Sequence, residues 1–201
     1  MDKFSFFFAF YGLILGLAVA ELLSGFAGMV RARALKQLEP QTALLALLTF
    51  IIICATWIDA WVTERGVTLD FAGLWAPILI GTAYYLAASI IFPRDVAGYA
   101  ELGTYYADRK RFVVGLLLIG ELLIGYTYRA TYLENFVHHP VVFWLWTVPY
   151  KLAIIGCWVA LWVVRSRRAN IALLVVLLLL FAVGYWQYMS IRDMIVRDWG
   201  L

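Results

Sequence analysis

The stretch Thr42–Val62 reads TALLALLTFIIICATWIDAWV, an apolar run of 21 residues that contains one charge, Asp59. The hydrocarbon core of a bilayer is about 30 Å thick, and a helix that rises 1.5 Å per residue crosses it in about 20 residues. The run is continuously apolar and does not alternate in polarity, which is typical of a spanning helix and not of a strand in a membrane barrel. The stretch therefore predicts a transmembrane helix.

Five further apolar runs occupy most of the remaining chain. They lie at Phe4–Val30, Phe71–Phe92, Phe112–Tyr128, Val141–Val164 and Ile171–Tyr188. Of the 201 residues 65% are hydrophobic and 14% are charged, which leaves too little polar surface to cover a soluble domain. We therefore predict an all-α integral membrane protein in which residues 1–201 form a single bundle of six transmembrane helices.

The first run has an alternative interpretation as a secretory signal peptide. Ala18-Val19-Ala20 resembles the small-residue cleavage site of such a segment. The apolar run continues past Glu21 to Val30, however, and is longer than the apolar region of a signal peptide. We therefore expect a retained helix.

Basic residues concentrate in the first, third and fifth connections between the runs. These connections contain ten of them: Arg31, Arg33, Lys36, Arg94, Arg109, Lys110, Arg111, Arg165, Arg167 and Arg168. The positive-inside rule then places these connections in the cytoplasm and both termini outside, in the plasma (bacterial inner) membrane. Tyrosines mixed with charges in the third connection predict a short cytoplasmic interfacial helix near 96–110, with a polar linker as the alternative.

Several short patterns recur at a nearly constant offset of 100 residues. ELLSG at residues 21–25 recurs as ELLIG at 121–125, and the pair Trp57 and Trp61 recurs as Trp158 and Trp162. A half with three spans crosses the membrane an odd number of times, so the second half would be inverted relative to the first. This predicts two inverted three-helix repeats, residues 1–95 and 111–201, a plan used by secondary transporters. Chance similarity within the small alphabet of membrane helices is the alternative.

Three ionisable residues are predicted near the middle of the membrane: Glu21, Glu121 and Lys151. Each glutamate is ten residues from a boundary arginine, about 15 Å by helical rise. Because a lone charge at the bilayer centre costs about 2.5–3.5 kcal/mol on insertion scales, we expect the three to meet inside the bundle. The carboxylate that lacks the lysine would then hold a proton. The three form a candidate ion or substrate pathway, and structural polar contacts that fix helix register are the alternative.

Three further features accompany these charges. Asp59 and Arg129 lie near the outer ends of their helices and predict a polar pair at the outer rim. Pro149 lacks an N–H in the middle of the fifth run and predicts a hinge beside Lys151. Small residues recur every four positions on the first run and predict close contact with another helix, of this chain or of a second subunit. They are Gly12, Gly16, Ala20, Ser24 and Gly28.

The sequence contains no motif for a zinc site, a phosphate-binding loop or a dinucleotide, and no set of catalytic residues can be assembled at one depth. We therefore expect no enzymatic activity, no cofactor, no metal and no nucleic-acid partner. The leading hypothesis is a small transporter or channel for an ion, proton or small solute. The alternative is a non-catalytic subunit that scaffolds or regulates a partner membrane protein.

Overall fold

The structure is a computed structural model that describes residues 3–63, 71–94, 102–127, 129–138 and 140–199. All regular elements in these ranges are helical, so the predicted all-α class is confirmed. The helices are α1 (Lys3–Arg31), α2 (Pro40–Thr63), α3 (Phe71–Ile91), α4 (Leu102–Thr127), α5 (Arg129–His138), α6 (Pro140–Val142), α7 (Val148–Val163) and α8 (Arg167–Trp199). A 3₁₀ turn at Leu35–Gln37 follows α1, and a π-helical segment at Phe143–Thr147 connects α6 to α7.

Four helical segments are long and apolar enough to cross a membrane. They are Ser5–Arg31, Pro40–Ala60, Phe143–Val163 and Arg167–Gly184. The apolar segment Trp75–Ile91 of α3 is shorter, and in α4 the charges at 108–111 limit the apolar part to residues from Phe112 onward. Length and composition alone therefore support four spans, and the predicted number of six is not confirmed by them.

The predicted interfacial helix near 96–110 is not a separate element where the structure describes it. Residues 96–101 lie outside the described ranges, and 102–110 form the first turns of α4, which continues to Thr127 without a break. Tyr105 anchors these turns to the end of α3, because its hydroxyl donates to the Ile90 carbonyl at 2.6 Å and contacts the Phe92 carbonyl at 3.3 Å. Buried tyrosines therefore fix this segment against the bundle.

Helices α2 and α4 are shared by two groups of four helices. One group contains α1, α2, α3 and α4, in which α3 packs extensively on both α1 and α4. The other contains α2, α4, α7 and α8, in which α2 packs on α8 and α7 packs on α4 and α8. Large buried side chains at the centre of these groups include Tyr84 of α3 and Trp158 of α7.

The small-residue ladder of α1 faces away from the bundle. The buried face of α1 consists of Phe7, Tyr11, Leu15, Ala18, Leu22 and Met29. At about 100° per residue, the middle of the ladder at Ala20 lies about 180° from that face. Gly12 does contact Trp57 of α2, but Gly16, Ala20 and Ser24 are exposed, and a Cβ at Gly16 or Gly28 would meet nothing within 4 Å. Most of the ladder therefore lies away from the other helices of this chain, and the alternative contact with a second subunit stays a prediction.

The helix contacts do not confirm the inverted repeat. Under the offset of 100 residues α3 corresponds to α8. However, α3 packs on α1 and α4, whereas α8 packs on α2 and α7. The repeat remains a prediction from the sequence.

The first, third and fifth connections meet at one end of the bundle, which we call the basic end. Glu39, just before α2, forms an ion pair with Arg167 at the start of α8. Lys110 of α4 donates hydrogen bonds to the Val164 carbonyl, beyond the end of α7, and to Asn170 Oδ1 of α8 at 3.0 Å. These contacts bring the three connections with most basic residues together at one end of the bundle.

Candidate ion-binding cavity

An ion pair between Glu121 and Lys151 joins α4 to α7 inside the bundle. Lys151 Nζ lies 3.1 Å from Glu121 Oε1 and donates a hydrogen bond to it. The Glu121 side chain is only 8% exposed, and that of Lys151 is 32% exposed. The predicted contact between these two residues is confirmed, whereas their role in a pathway remains a prediction.

The pair lines a cavity of about 190 Å³ between α2, α4, α7 and α8, which we call the charged cavity. Each helix contributes residues from one face. On α2 these are Ile52, Ala55, Thr56 and Asp59, which are three or four positions apart and therefore project from the same side. Tyr150, Ile154, Ile124, Phe181 and Gly184 complete the lining. The cavity thus combines two carboxylates and one ammonium group with a mainly apolar wall.

Asp59 belongs to this cavity, and the structure gives Arg129 a different environment from the one predicted. Arg129 Nη1 donates to the Tyr126 carbonyl at 2.9 Å, and its guanidinium lies 4.1 Å from the centre of the Tyr126 ring. A cation near the last carbonyls of α4 is favoured by the helix dipole. The structure therefore shows Arg129 in contact with Tyr126 at the end of α4, and the rim pair of Asp59 with Arg129 stays a prediction.

Glu21 does not join Glu121 and Lys151. Its carboxylate pairs with Arg94 at 3.5 Å, in a different cavity between α1 and the end of α3, lined also by Arg31 and Ser24. Arg94 belongs to the third connection and its side chain is 83% exposed, so this pair is only partly buried. The expected cluster of three charges is corrected to two pairs: the buried Glu121 with the partly buried Lys151, and a separate, partly exposed Glu21–Arg94 pair.

Gly184 of α8 and Pro149 of α7 help to place Tyr150 and Lys151 in the wall of the charged cavity. The Tyr150 hydroxyl donates to the Leu180 carbonyl of α8 at 2.9 Å. It reaches this carbonyl beside Gly184, where a Cβ would overlap the hydroxyl, so a residue without a side chain is required there. Pro149 is the second residue of α7, and α7 directly follows the π-helical segment Phe143–Thr147. A change of helix type therefore lies where the hinge was predicted.

A second, smaller cavity adjoins the charged one. It has a volume of about 10 Å³, roughly the space of one water molecule, and Thr127, Pro77 and Tyr11 contribute to its wall. Thr56, Asp59 and Ile124 line both cavities. Polar groups of α2 thus separate the charged cavity from a small space that faces α1 and α3.

Some parts of the site had no signal in the sequence. Thr56, Tyr150 and Gly184 are ordinary residues of membrane helices, and only the packing of α2 and α7 on α8 makes them neighbours. Asp59 was visible as a rare charge but was assigned by depth alone to the outer rim. In the ranges that the structure describes, no three His, Cys, Asp or Glu side chains lie together in a group suited to a metal ion.

Neither a protein-family model, nor a curated protein, nor a solved structure matches this chain, so a function has to be inferred from the geometry of the charged cavity.

Proposed function

We propose that this chain is a six-span transporter or channel of the plasma (bacterial inner) membrane that moves protons or small cations through the charged cavity. The observation that supports this proposal is that Asp59, Glu121 and Lys151 line one cavity between four helices. With all three ionised the site has a net charge of −1, which favours a proton or a cation over an anion. Ionisable residues that face the interior of a membrane bundle commonly mark such pathways.

Six spans fit the packing better than four do. Helix α3 has 21 residues, about 31 Å by helical rise, which is sufficient to cross the hydrocarbon core. It packs along α4 and α1, and the start of α4 is anchored to the end of α3 at the basic end. Six crossings place all three strongly basic connections on the cytoplasmic side and both termini outside. The inverted repeat remains a separate hypothesis on which transport does not depend.

Lys151 acts in this proposal as an internal counter-ion. When a proton or cation binds Glu121, the attraction between Glu121 and Lys151 weakens, and Asp59 in the same cavity becomes the remaining carboxylate for the lysine. Binding of the cation therefore neutralises the net charge of −1, and the lysine has a carboxylate partner both before and after the cation leaves. The π-helical segment Phe143–Thr147 and Pro149 lie within the eight residues before Lys151, and such helix irregularities are frequent at functional sites.

Flux in proteoliposomes tests the proposal. The purified chain is reconstituted with an internal pH-sensitive dye, and proton flux is measured under an imposed potential, with sodium or potassium gradients as separate arms. Glu121→Gln should reduce the active flux by about tenfold or more, because it removes the carboxylate that binds the cation. Glu21→Gln is the matched control, since it makes the same chemical change outside the cavity. Wild-type flux equal to that of protein-free vesicles in every arm, or equal to that of Glu121→Gln, would refute the proposal.

A second candidate function, a non-catalytic subunit, is favoured by the exposed face of α1. Gly16, Ala20 and Ser24 offer a surface on which a helix of a second copy or of a partner membrane protein can pack closely. Replacement of Gly16 and Ser24 by leucine should abolish a stoichiometric association in native membranes and leave the charged cavity unchanged. A chain that is solitary in native membranes would rule this candidate out.

A further inference from the structure

A larger cavity opens at the basic end of the bundle, and we call it the basic cavity. It has a volume of about 660 Å³ and lies between the starts of α2, α4 and α8 and the connection from α7 to α8. Four basic side chains line it: Lys110, Arg111, Arg165 and Arg167. Two carboxylates, Glu39 and Asp108, also line it. The lining therefore has a net positive charge.

The distribution of charge within the basic cavity leaves several positively charged side chains available to bind a ligand. Glu39 is neutralised by its ion pair with Arg167, so Asp108 faces the remaining three basic side chains. Gln41 is the second residue of α2 and Arg167 is the first of α8, so two long helices point their N-terminal ends at the cavity. The N–H groups and the dipole of a helix start favour an anion.

Buried polar groups in the wall supply a second, independent observation. Tyr106 is 5% exposed and Gln41 is 7% exposed. Neither the Tyr106 hydroxyl nor Gln41 Oε1 has a hydrogen-bond partner among the described residues. Buried polar atoms are paired in the great majority of native structures, because an unpaired one costs about 1–3 kcal/mol. Tyr106 is one of the residues that line the basic cavity, and its hydroxyl is chemically able to donate a hydrogen bond to an anion.

Lys110 is held in place by its own contacts. It is 5% exposed and donates to the Val164 carbonyl and to Asn170 Oδ1, and Asn170 is itself fixed through its Nδ2 to the Ser166 carbonyl at 2.8 Å. An ammonium group has three N–H donors, so one remains for a ligand. The lysine is thus positioned by the protein before any ligand binds.

We propose that the basic cavity binds a phosphate group, either the headgroup of an anionic lipid or a free phosphate. A phosphate offers several strong acceptor oxygens, which match two exposed arginines, a fixed ammonium group and a phenol hydroxyl. Basic pockets between membrane helices on the cytoplasmic side are suited to anionic headgroups. This inference does not depend on transport through the charged cavity.

Binding is tested with the purified full chain in two arms at constant ionic strength. In the first arm inorganic phosphate is titrated in neutral detergent, and in the second arm phosphatidylglycerol is titrated into the same detergent, with phosphatidylcholine as the neutral lipid. Saturable binding in the first arm identifies a free phosphate, and saturable binding only in the second identifies a lipid headgroup. Either result supports the site.

Matched variants distinguish binding at a defined site from a general attraction of anions by the positive charge of the basic end. Arg111→Gln with Arg165→Gln should weaken binding by about tenfold or more, since two charge-assisted contacts are lost. Arg33→Gln with Arg168→Gln removes the same charge at the same end, outside the cavity, and should change affinity by less than about twofold. Tyr106→Phe should weaken binding by about threefold or more through the lost hydroxyl. All of these arginines are exposed, so the thermal midpoint should stay close to that of the wild type.

Two outcomes would overturn the inference. One is the absence of saturable binding in both arms. The other is an equal loss of affinity in the two arginine pairs, which would show that the net charge of the basic end attracts anions without a defined site.

Discussion

Lys151 Nζ lies 3.1 Å from Glu121 Oε1, and the carboxylate is the more deeply buried partner of this pair. Loss of the lysine should therefore be the more damaging change, because it leaves a buried carboxylate without its counter-ion. We expect Lys151→Met to lower the free energy of unfolding by about 3–5 kcal/mol. Glu121→Gln should cost less, because the half-exposed ammonium group retains access to polar surroundings.

The double variant Glu121→Gln/Lys151→Met is the decisive member of this series. If the two residues stabilise the bundle as a pair, the double variant should be less destabilised than the sum of the single variants predicts. Thermal unfolding in detergent, followed by tryptophan fluorescence, measures the difference in stability between the wild type and each of the three variants. Strictly additive losses would show that the pair has no energetic coupling.

Gly184 should not tolerate a side chain. A Cβ at this position would overlap the Tyr150 hydroxyl, which would have to leave the Leu180 carbonyl. We expect Gly184→Ala to destabilise the protein by about 1–3 kcal/mol, as overpacking commonly does. Gly156→Ala is the control, because a Cβ at Gly156 of α7 would meet nothing within 4 Å. Equal thermal midpoints for the two variants would contradict the contact between α7 and α8.

The Glu21–Arg94 pair should contribute little to stability. The two charges are 3.5 Å apart, and the Arg94 side chain is 83% exposed. Exposed ion pairs are worth about 0–1 kcal/mol, because water and salt screen them. Glu21→Gln and Arg94→Gln should each therefore shift the thermal midpoint only slightly, and the shift should shrink further at high salt. A loss as large as that of Lys151→Met would show that Glu21 is in a dry environment.

The different outcomes for the two glutamates show what depth along a helix can and cannot predict. Glu121 and Lys151 are rare charges within apolar runs, and the cost of isolating either one was sufficient reason to expect a pair. Glu21 has the same distance to a boundary arginine, but Arg94 follows Pro93 at the end of α3 and lies within reach of it. The distance from one boundary residue does not reveal which side chains extend from another helix.

The ladder of α1 shows a second limit. In a soluble helix the apolar face predicts the buried face, but lipid is as apolar as a protein interior. Both faces of α1 are apolar, and the sequence does not say which packs on α2 and α3. The structure places the large side chains of Tyr11, Leu15 and Leu22 inward and most of the small ones outward. Small residues thus indicated a helix contact without indicating its partner.

Lys110 lies at the basic end, outside the apolar segments, and its pKa leads us to expect that the stability of the protein depends on pH. Burial, and then the neighbouring Arg111 charge, lower its pKa from the ordinary value of 10.5. The unfolded chain therefore binds this proton more tightly than the folded chain does. Stability should rise with pH in the window between the lowered pKa and 10.5.

The comparison variant for this effect is Lys110→Arg, which keeps a positive charge throughout that window. Burial raises the pKa of Tyr106 above its ordinary value of 10.0, which lowers stability above that pH, but both proteins contain this tyrosine. Thermal midpoints at several pH values from about 8 to about 10.5 should therefore rise in the wild type relative to Lys110→Arg. Parallel curves would show that Lys110 does not titrate differently in the folded state.

Side-specific labelling of Asp108→Cys distinguishes six spans from four. Asp108 is exposed in the first part of α4, after α3. If α3 crosses the membrane, this position lies in the cytoplasm, whereas it lies outside if only the four longest apolar segments cross. In a background with Cys54 and Cys157 replaced by alanine, an impermeant thiol reagent should modify Asp108→Cys in inverted vesicles only. Arg33→Cys is the cytoplasmic control and Val137→Cys, exposed on α5, is the external one. Modification of Asp108→Cys in intact cells, together with Val137→Cys, would reduce the number of spans to four and leave α3 and α4 outside.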